Sequence, residues 1–179
     1  MIYPLVHDGT RLFDYTRPDG LRVIARQIPL DTLKSTPKGF GGRVGILPQL
    51  PDGSYLVNLS NRGLFSDFGG GVKAREYHYE SLQRELQEEA PQWKDVLLER
   101  LPEAQIYSLE EFYPRDYKKS KRTIRLMILC IVPFEDDSGF VPSEEVLQIN
   151  RVHDLENFLR NHPLNLGLQQ LLRCRYDSH

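Results

Sequence analysis

The stretch that decides the fold is "GGVKAREYHYESLQRELQEEA", residues 70–90. It opens with glycines and then places three glutamates, Glu85, Glu88 and Glu89, within about one helical turn. Apolar residues recur at helical spacing, which predicts an amphipathic helix from about residue 76 to residue 90. The carboxylates lie at the edge of the apolar stripe, where they repel one another in water. A hard divalent cation reverses that repulsion, since Mg²⁺ prefers carboxylate and water oxygens.

Size and composition indicate one globular domain without a membrane segment. The chain has 179 residues, 40% hydrophobic and 27% charged, with a formal net charge of −2. Contact with a polyanion would therefore depend on a local basic patch or on bound cations. Cys130 and Cys174 have no partner at metal-ligand or redox-motif spacing, which indicates buried thiols. With no signal peptide and no apolar run of about 20 residues, we expect a soluble, intracellular, cytoplasmic protein.

The order of apolar segments predicts the architecture. "RVGILPQL" and "SYLVNLS" flank the turn 51–53 and predict a β-hairpin, while "TIRLMILCIVPF" predicts a buried central strand. "SEEVLQINRV" predicts a last strand, and residues 154–176 predict two short helices broken at His162-Pro163. We predict an α/β (α+β) fold with a mixed β-sheet sandwiched between helices. Residues 1–38 would form a short N-terminal β extension packed on the core, and residues 39–179 the main domain.

The spacing of charged residues in the opening stretch resembles a known signature. Gly70 is followed by five residues, Glu76, seven residues and then Arg84-Glu85-Leu86-Gln87-Glu88-Glu89. This pattern resembles the Nudix box of the Nudix hydrolases, here residues 70–92. The final glycine and aliphatic residue of the box are replaced by Pro91 and Gln92, and Lys73 stands where an acidic residue is often found.

The resemblance implies an activity and a metal site. Nudix hydrolases use Mg²⁺ or Mn²⁺ to cleave a pyrophosphate linkage in a nucleoside diphosphate joined to a further group X. It implies that Glu85, Glu88 and Glu89 bind the metal, helped by a backbone carbonyl near Gly70. Glycines there would also let the backbone approach metal and phosphates closely.

The remaining box residues would orient the site. Arg84 is expected to hold carboxylates by ion pairs, with Glu80 and Glu88 at helical spacing on either side. Glu76, expected in the first helical turn, would anchor the loop or cap the helix.

A general base is also required, and the family takes it either from the box or from a later loop. We expect the catalytic residues to be Glu85 in the box and Glu145 in the later loop. Glu145 is favoured over Glu144, and the alternative for both is a surface charge.

Basic residues offer phosphate contacts. The densest basic cluster follows residue 113, and its simplest interpretation is a solvated hairpin tip. The alternative is contact with phosphates or with an RNA chain. The predicted phosphate-binding residues are Lys73, Lys119, Lys121 and Arg122.

The sequence leaves the group X open. A free nucleotide or dinucleotide-type diphosphate ranks first, because the acidic balance does not favour long nucleic acid. An mRNA decapping enzyme, with RNA as partner, ranks second, followed by hydrolysis of dinucleoside polyphosphates or diphosphoinositol polyphosphates. A catalytically inactive Nudix-like binding module is disfavoured by the complete set of box glutamates, and a non-Nudix acidic scaffold would make the spacing a coincidence. The oligomeric state stays open, with a homodimer among the alternatives.

Overall fold

A computed structural model describes residues 6–38, 41–115, 124–135 and 139–177. The strands are β1 Thr10–Thr16, β2 Arg22–Ile28, β3 Gly42–Gln49, β4 Tyr55–Ser60, β5 Phe65–Ser66, β6 Phe68–Gly71, β7 Gln105–Phe112, β8 Ile124–Pro133 and β9 Val146–Val152. The helices are α1 Leu30–Lys34, α2 His78–Glu89, α3 Lys94–Glu99, α4 Leu155–Asn161 and α5 Leu166–Arg175, with a 3-10 turn at Leu101–Glu103. Among these residues no helix is long and apolar enough to cross a membrane.

The strands form one mixed sheet around β8. Strand β8 pairs antiparallel with β7 and parallel with β3. The strand order is β1-β2-β7-β8-β3-β4-β5, with β6 added beside β3 and β9 beside β4. The predicted mixed sheet and buried central strand are therefore confirmed. Strands β1 and β2 of the predicted extension continue this sheet through β7, while the division at residue 38 stays a prediction.

Alternate residues of β8 serve two separate apolar cores. Ile128 and Cys130 pack in the core that includes Leu82 and Leu86 of α2. Met127, Leu129 and Ile131 pack in the other core, with apolar residues of α4 and α5. Successive side chains of a strand point to opposite faces, so a continuous apolar run is the pattern of a strand covered on both faces. The sheet is sandwiched between helices, as predicted.

The predicted turn joins β3 and β4 as antiparallel neighbours, but their pairing is limited to Gln49 and Tyr55. Beyond that pair β4 turns to β9, and the first half of β3 takes β6 as its neighbour. Strand β6 fits there because Gly69 lies opposite Gly45. A Cβ on Gly69 would lie 2.2 Å from the Val44 carbonyl oxygen, so glycine permits the close approach.

Helix α2 is two residues later at its start than the predicted range. Tyr77 precedes it in extended conformation, with φ −72° and ψ 153°, and Pro91 follows its last turn. Leu82 and Leu86 are fully buried on the sheet, which confirms the amphipathic pattern. His78, at the first helical position, is also fully buried and hydrogen-bonds through Nε2 to the Leu126 carbonyl oxygen at 3.0 Å.

Strand β7 is absent from the sequence prediction. Its segment "QIYSLEEF" carries two glutamates before its last residue, yet Glu110 is 0% and Glu111 5% exposed. Arg125 of the neighbouring strand pairs with Glu111, with Nε donating to Oε1 at 2.9 Å. Glutamates are rarely buried without a partner, so two of them in a row do not indicate a buried strand. The sequence pattern therefore gave no sign of β7.

Gly45 gives a test of close packing in the sheet. A Cβ at Gly45 would lie 1.8 Å from Oδ2 of Asp67, which is fully buried and ion-paired to Arg43. We expect Gly45→Ala to lower the free energy of unfolding by about 2–4 kcal/mol, because the methyl group displaces a buried charged pair. The measurement is urea denaturation.

The matched control for that change is Gly71→Ala in β6. A Cβ at Gly71 would meet only the Gly42 carbonyl oxygen, at 3.9 Å, and we expect a change within about 0.5 kcal/mol. Equal unfolding midpoints for the two variants would contradict the packing argument.

Candidate active site

Four carboxylates line one open cavity of about 690 Å³. Helix α2 contributes Glu85, Glu88 and Glu89. The fourth carboxylate belongs to Glu145, the residue immediately before β9. Gly70 of β6 lines the same cavity. The structure therefore brings together every residue predicted as a metal ligand and both predicted catalytic residues.

The glycine strand β6 makes room for these carboxylates. A Cβ on Gly70 would lie 2.4 Å from Oε1 of Glu85, so a larger residue would displace that carboxylate. The Gly69 backbone N–H donates to Oε2 of Glu89 at 2.9 Å. Two of the three glutamates predicted as metal ligands are thus packed directly against the backbone of β6.

Arg84 connects the loop before α2 with the carboxylates on α2. Its Nε donates to Oε1 of Glu76 at 2.8 Å, and its Nη1 donates to Oε1 of Glu85 at 2.8 Å. The Glu88 carboxylate lies 3.5 Å from Nη1, and Nη2 donates to the Gly71 carbonyl oxygen at 3.0 Å. The pairing with Glu88 was expected. The pairing with Glu80 was not found among the described residues, because Arg84 turns toward the loop.

Glu76 lies before α2 and not in its first turn, so the predicted position is wrong by a few residues. Its carboxylate accepts hydrogen bonds from Arg84, the Ser81 hydroxyl and, at 3.3 Å, the Lys73 backbone N–H. These donors, chiefly Arg84, lower the pKa of Glu76 to about 2 despite the opposing effect of burial. Glu76 therefore anchors the loop between β6 and α2 as a charged group.

This pKa gives a pH-dependent prediction for Glu76→Gln in metal-free protein. The folded-state pKa of about 2 lies below the ordinary 4.5, so the charged group stabilises the fold above about pH 4.5. That stabilisation is lost as the pH falls toward 2. We expect the variant to lose about 1–2 kcal/mol of unfolding free energy at pH 7, after allowance for solvent screening, and clearly less at pH 3. Urea titrations at both pH values measure this.

The control is Glu103→Gln, whose carboxylate is 59% exposed and pairs with Arg100 on the surface. We expect only a few tenths of a kcal/mol there. A Glu76→Gln effect that is as large at pH 3 as at pH 7 would exclude the charged anchor.

Negative charge in the cavity exceeds what the nearby arginines balance. Burial, followed by repulsion from Asp67 and Glu85, raises the pKa of Glu89 to about 9. Burial also raises the pKa of Glu85, against the hydrogen bond from Arg84 and with the repulsion of Glu88 and Glu145. Carboxylate oxygens with too few cations nearby are suitable ligands for a hard divalent cation.

The four carboxylates share a cavity, but the described side chains do not form a closed metal site. No group of three or more His, Cys, Asp or Glu among them is already arranged to hold an ion. Arg84 holds Glu85 and the Gly69 N–H holds Glu89, while Glu88 is exposed and lies 3.5 Å from Nη1 of Arg84. The donor chemistry fits a cation, and side-chain rotation would be needed to gather the ligands.

The pairing of β9 with β4 brings Glu145 to the cavity. Ser60 pairs with Val146, and the Asn61 N–H donates to the Glu145 carbonyl oxygen at 3.2 Å. Glu145 lines the cavity and contributes to the raised pKa of Glu85, whereas Glu144 is outside the lining. This arrangement agrees with the preference for Glu145.

The predicted phosphate-binding residues are placed less favourably. Lys73 is exposed in the loop before α2 and does not line the cavity. Lys119, Lys121 and Arg122 lie outside the described residues, so their predicted role stays a prediction.

The sequence analysis missed several cavity residues. Arg43 and Arg62 are the two arginines of the lining, and Asn165 and Gln169 contribute amides near the start of α5. One sequence signal was available, since Arg43 begins an otherwise apolar segment and Asp67 interrupts another. Asp67 is fully buried and pairs with Arg43 and Asn165.

Comparison with known proteins gives a result from structure and none from sequence. No family model and no curated protein matches the chain. The solved dihydroneopterin triphosphate pyrophosphohydrolase of E. coli matches with a TM-score of 0.51 and 13% identity, covering 76% of this chain and 95% of that one.

Two further solved structures match at similar levels. The pyrophosphohydrolase BsRppH of Bacillus subtilis has a TM-score of 0.49 and 13% identity, covering 92% of this chain and 98% of that one. The NUDIX domain of Shewanella oneidensis NrtR, solved with ADP ribose, has a TM-score of 0.49 and 14% identity, covering 80% and 90%. At such identity the likeness concerns the fold alone. The E. coli structure, with its TM-score of 0.51, agrees with the predicted α+β fold.

Proposed function

We propose that this chain, which has the fold of the Nudix hydrolases, hydrolyses a pyrophosphate linkage in a nucleoside diphosphate joined to a group X, using Mg²⁺ or Mn²⁺. The observation that carries the proposal is the convergence of four carboxylates on one cavity from two elements distant in sequence. A cavity of about 690 Å³ suits a nucleotide-sized ligand.

The box glutamates would form the metal-binding side. Glu85, Glu88 and Glu89 would hold the cation, with the backbone of Gly70 close by. When bound, the cation would neutralise phosphate charge and lower the pKa of a water molecule. Arg84 would keep Glu85 oriented and would tie the loop before α2 to it.

Glu145 would supply the general base. Its carboxylate would accept a proton from the attacking water, and the new P–O bond would form as the bridging oxygen leaves. Glu145 lines the same cavity as the box glutamates but comes from a different element, the segment that leads into β9. Glu144 would remain a surface residue.

The group X would lie against the end of the cavity formed by α5 and the β4–β5 turn. Arg62 and the amides of Asn165 and Gln169 line this end. Such donors suit a base, a sugar or an additional phosphate. A free nucleotide or dinucleotide-type diphosphate is therefore the proposed substrate class, since a net charge of −2 does not favour long nucleic acid.

The first test compares the wild-type protein with the Glu88→Gln variant. Both are assayed on nucleotide sugars, dinucleotides, dinucleoside polyphosphates and capped RNA, and the products are identified. Wild-type protein should release product from at least one pyrophosphate-linked compound only with Mg²⁺ or Mn²⁺. The kcat/KM of the variant should fall on the order of 100-fold or more, because the Glu88 carboxylate would no longer help to hold the cation that stabilises the phosphate charge.

Glu80→Gln is the matched control, since Glu80 is exposed on the same helix and outside the cavity. It should retain full activity. Turnover that survives chelation, or an active Glu88→Gln protein, would refute the metal-dependent proposal.

The base is tested by comparing two neighbouring glutamates. Glu145→Gln should lower kcat about 100-fold or more while KM changes little, because proton transfer is lost and ground-state binding is not. Glu144→Gln should behave as wild type. Equal rates for the two variants would exclude Glu145 as the base.

A further inference from the structure

Arg43 is a buried cation, and most of its N–H groups have no acceptor among the residues that the structure describes. Its side chain is 9% exposed and lines the carboxylate cavity. Within the described residues the guanidinium donates once, from Nη1 to Oδ2 of Asp67 at 2.8 Å. A guanidinium carries five N–H donors, so most of them have no protein acceptor there.

The surroundings of Arg43 hold the guanidinium in one place. Asp67 is fully buried, and its other oxygen accepts from Nδ2 of Asn165 at 2.9 Å. Asn165 in turn caps α5, where its Oδ1 accepts from the Leu168 N–H at 3.0 Å. A Cβ at Gly167 would lie 1.9 Å from Nη1 of Arg43, so the chain leaves space for this group.

A buried ion pair is not needed for stability alone. Desolvation offsets much of the attraction, and apolar replacements of such pairs are often as stable or more so. Stability alone therefore does not explain the Arg43–Asp67 pair. Its position beside the cavity carboxylates suggests a role in binding. Arg43 and Arg62 are the two cations of the cavity lining, and Arg62 is exposed.

We propose that Arg43 binds a non-bridging oxygen pair of the substrate's diphosphate through its free N–H groups, while Asp67 holds the guanidinium in the cavity. The proposal rests on the proposed function and adds a direct protein contact to the phosphates. A planar guanidinium matches two phosphate oxygens, which a lysine ammonium cannot do in the same bidentate way. Arg43 is the cation of the lining that the fold holds rigidly.

The test uses Arg43→Lys and the non-hydrolysable analogue methylenediphosphonate. Lysine keeps the positive charge and its attraction to Asp67, but it lacks the two parallel N–H donors of the planar guanidinium. We expect the Kd for the analogue with Mg²⁺, and the KM for substrate, to rise about tenfold or more, with kcat changed less. Arg22→Lys is the control, since Arg22 also pairs with a carboxylate, Asp14, but lies outside the cavity.

The analogue separates this proposal from the proposed function. Weaker analogue binding by Arg43→Lys than by wild type supports the phosphate contact even if no substrate is hydrolysed. Unchanged analogue binding in a folded Arg43→Lys protein overturns the contact even if hydrolysis proceeds. Wild-type protein that does not bind the analogue also overturns it.

A second measurement needs no variant and covers the case in which Arg43→Lys fails to fold. The Nε–H resonance of Arg43, assigned through its own side chain by NMR, should shift on addition of methylenediphosphonate to wild-type protein. The Nε–H resonance of Arg22 should not. A purely structural ion pair predicts no shift at Arg43, and that outcome would refute the proposal.

Discussion

The approach of strand β6 to strand β3 is the constraint on which the cavity depends. Gly69 pairs with Gly45, and a Cβ on Gly69 would lie 2.4 Å from the Gly45 Cα. Only glycine allows backbone to approach backbone so closely. This contact places the Gly69 N–H against Glu89 and the Gly70 backbone against Glu85. The strand is thereby both a wall of the cavity and a partner of its carboxylates.

The cavity is organised as a balance of charges that the protein leaves incomplete. Arg84, on α2, forms ion pairs with Glu76, Glu85 and Glu88. Arg43 pairs with Asp67. These two arginines are fewer than the carboxylates around them, and repulsion from Asp67 and Glu85 adds to burial, the main cause, in raising the pKa of Glu89. A bound cation would supply the missing charge, and this is the physical basis of the proposed metal dependence.

Much of the architecture was predictable because periodicity is a local signal. The apolar run of β8 and the stripe of α2 needed only the residues themselves. Strand β7 was missed because its end carries Glu110 and Glu111, which are buried only where other strands cover them. The turn at residues 51–53 predicted that β3 and β4 are joined, but it gives no information on how far they pair or on which strand lies beside β3 afterwards.

The sequence by itself determined the helix with its glutamates, the glycines before it and the succession of strands and helices that indicates a mixed sheet. Local spacing carries this information, since residues three and four apart on a helix share a face in any surroundings. Only the tertiary structure decided that Arg84 pairs with Glu76 and not with Glu80, that Glu145 and not Glu144 reaches the cavity, and that Arg43 and Asp67 lie buried beside Glu89. These facts depend on contacts between segments far apart in the chain, and such contacts form only when the sheet and its helices pack together.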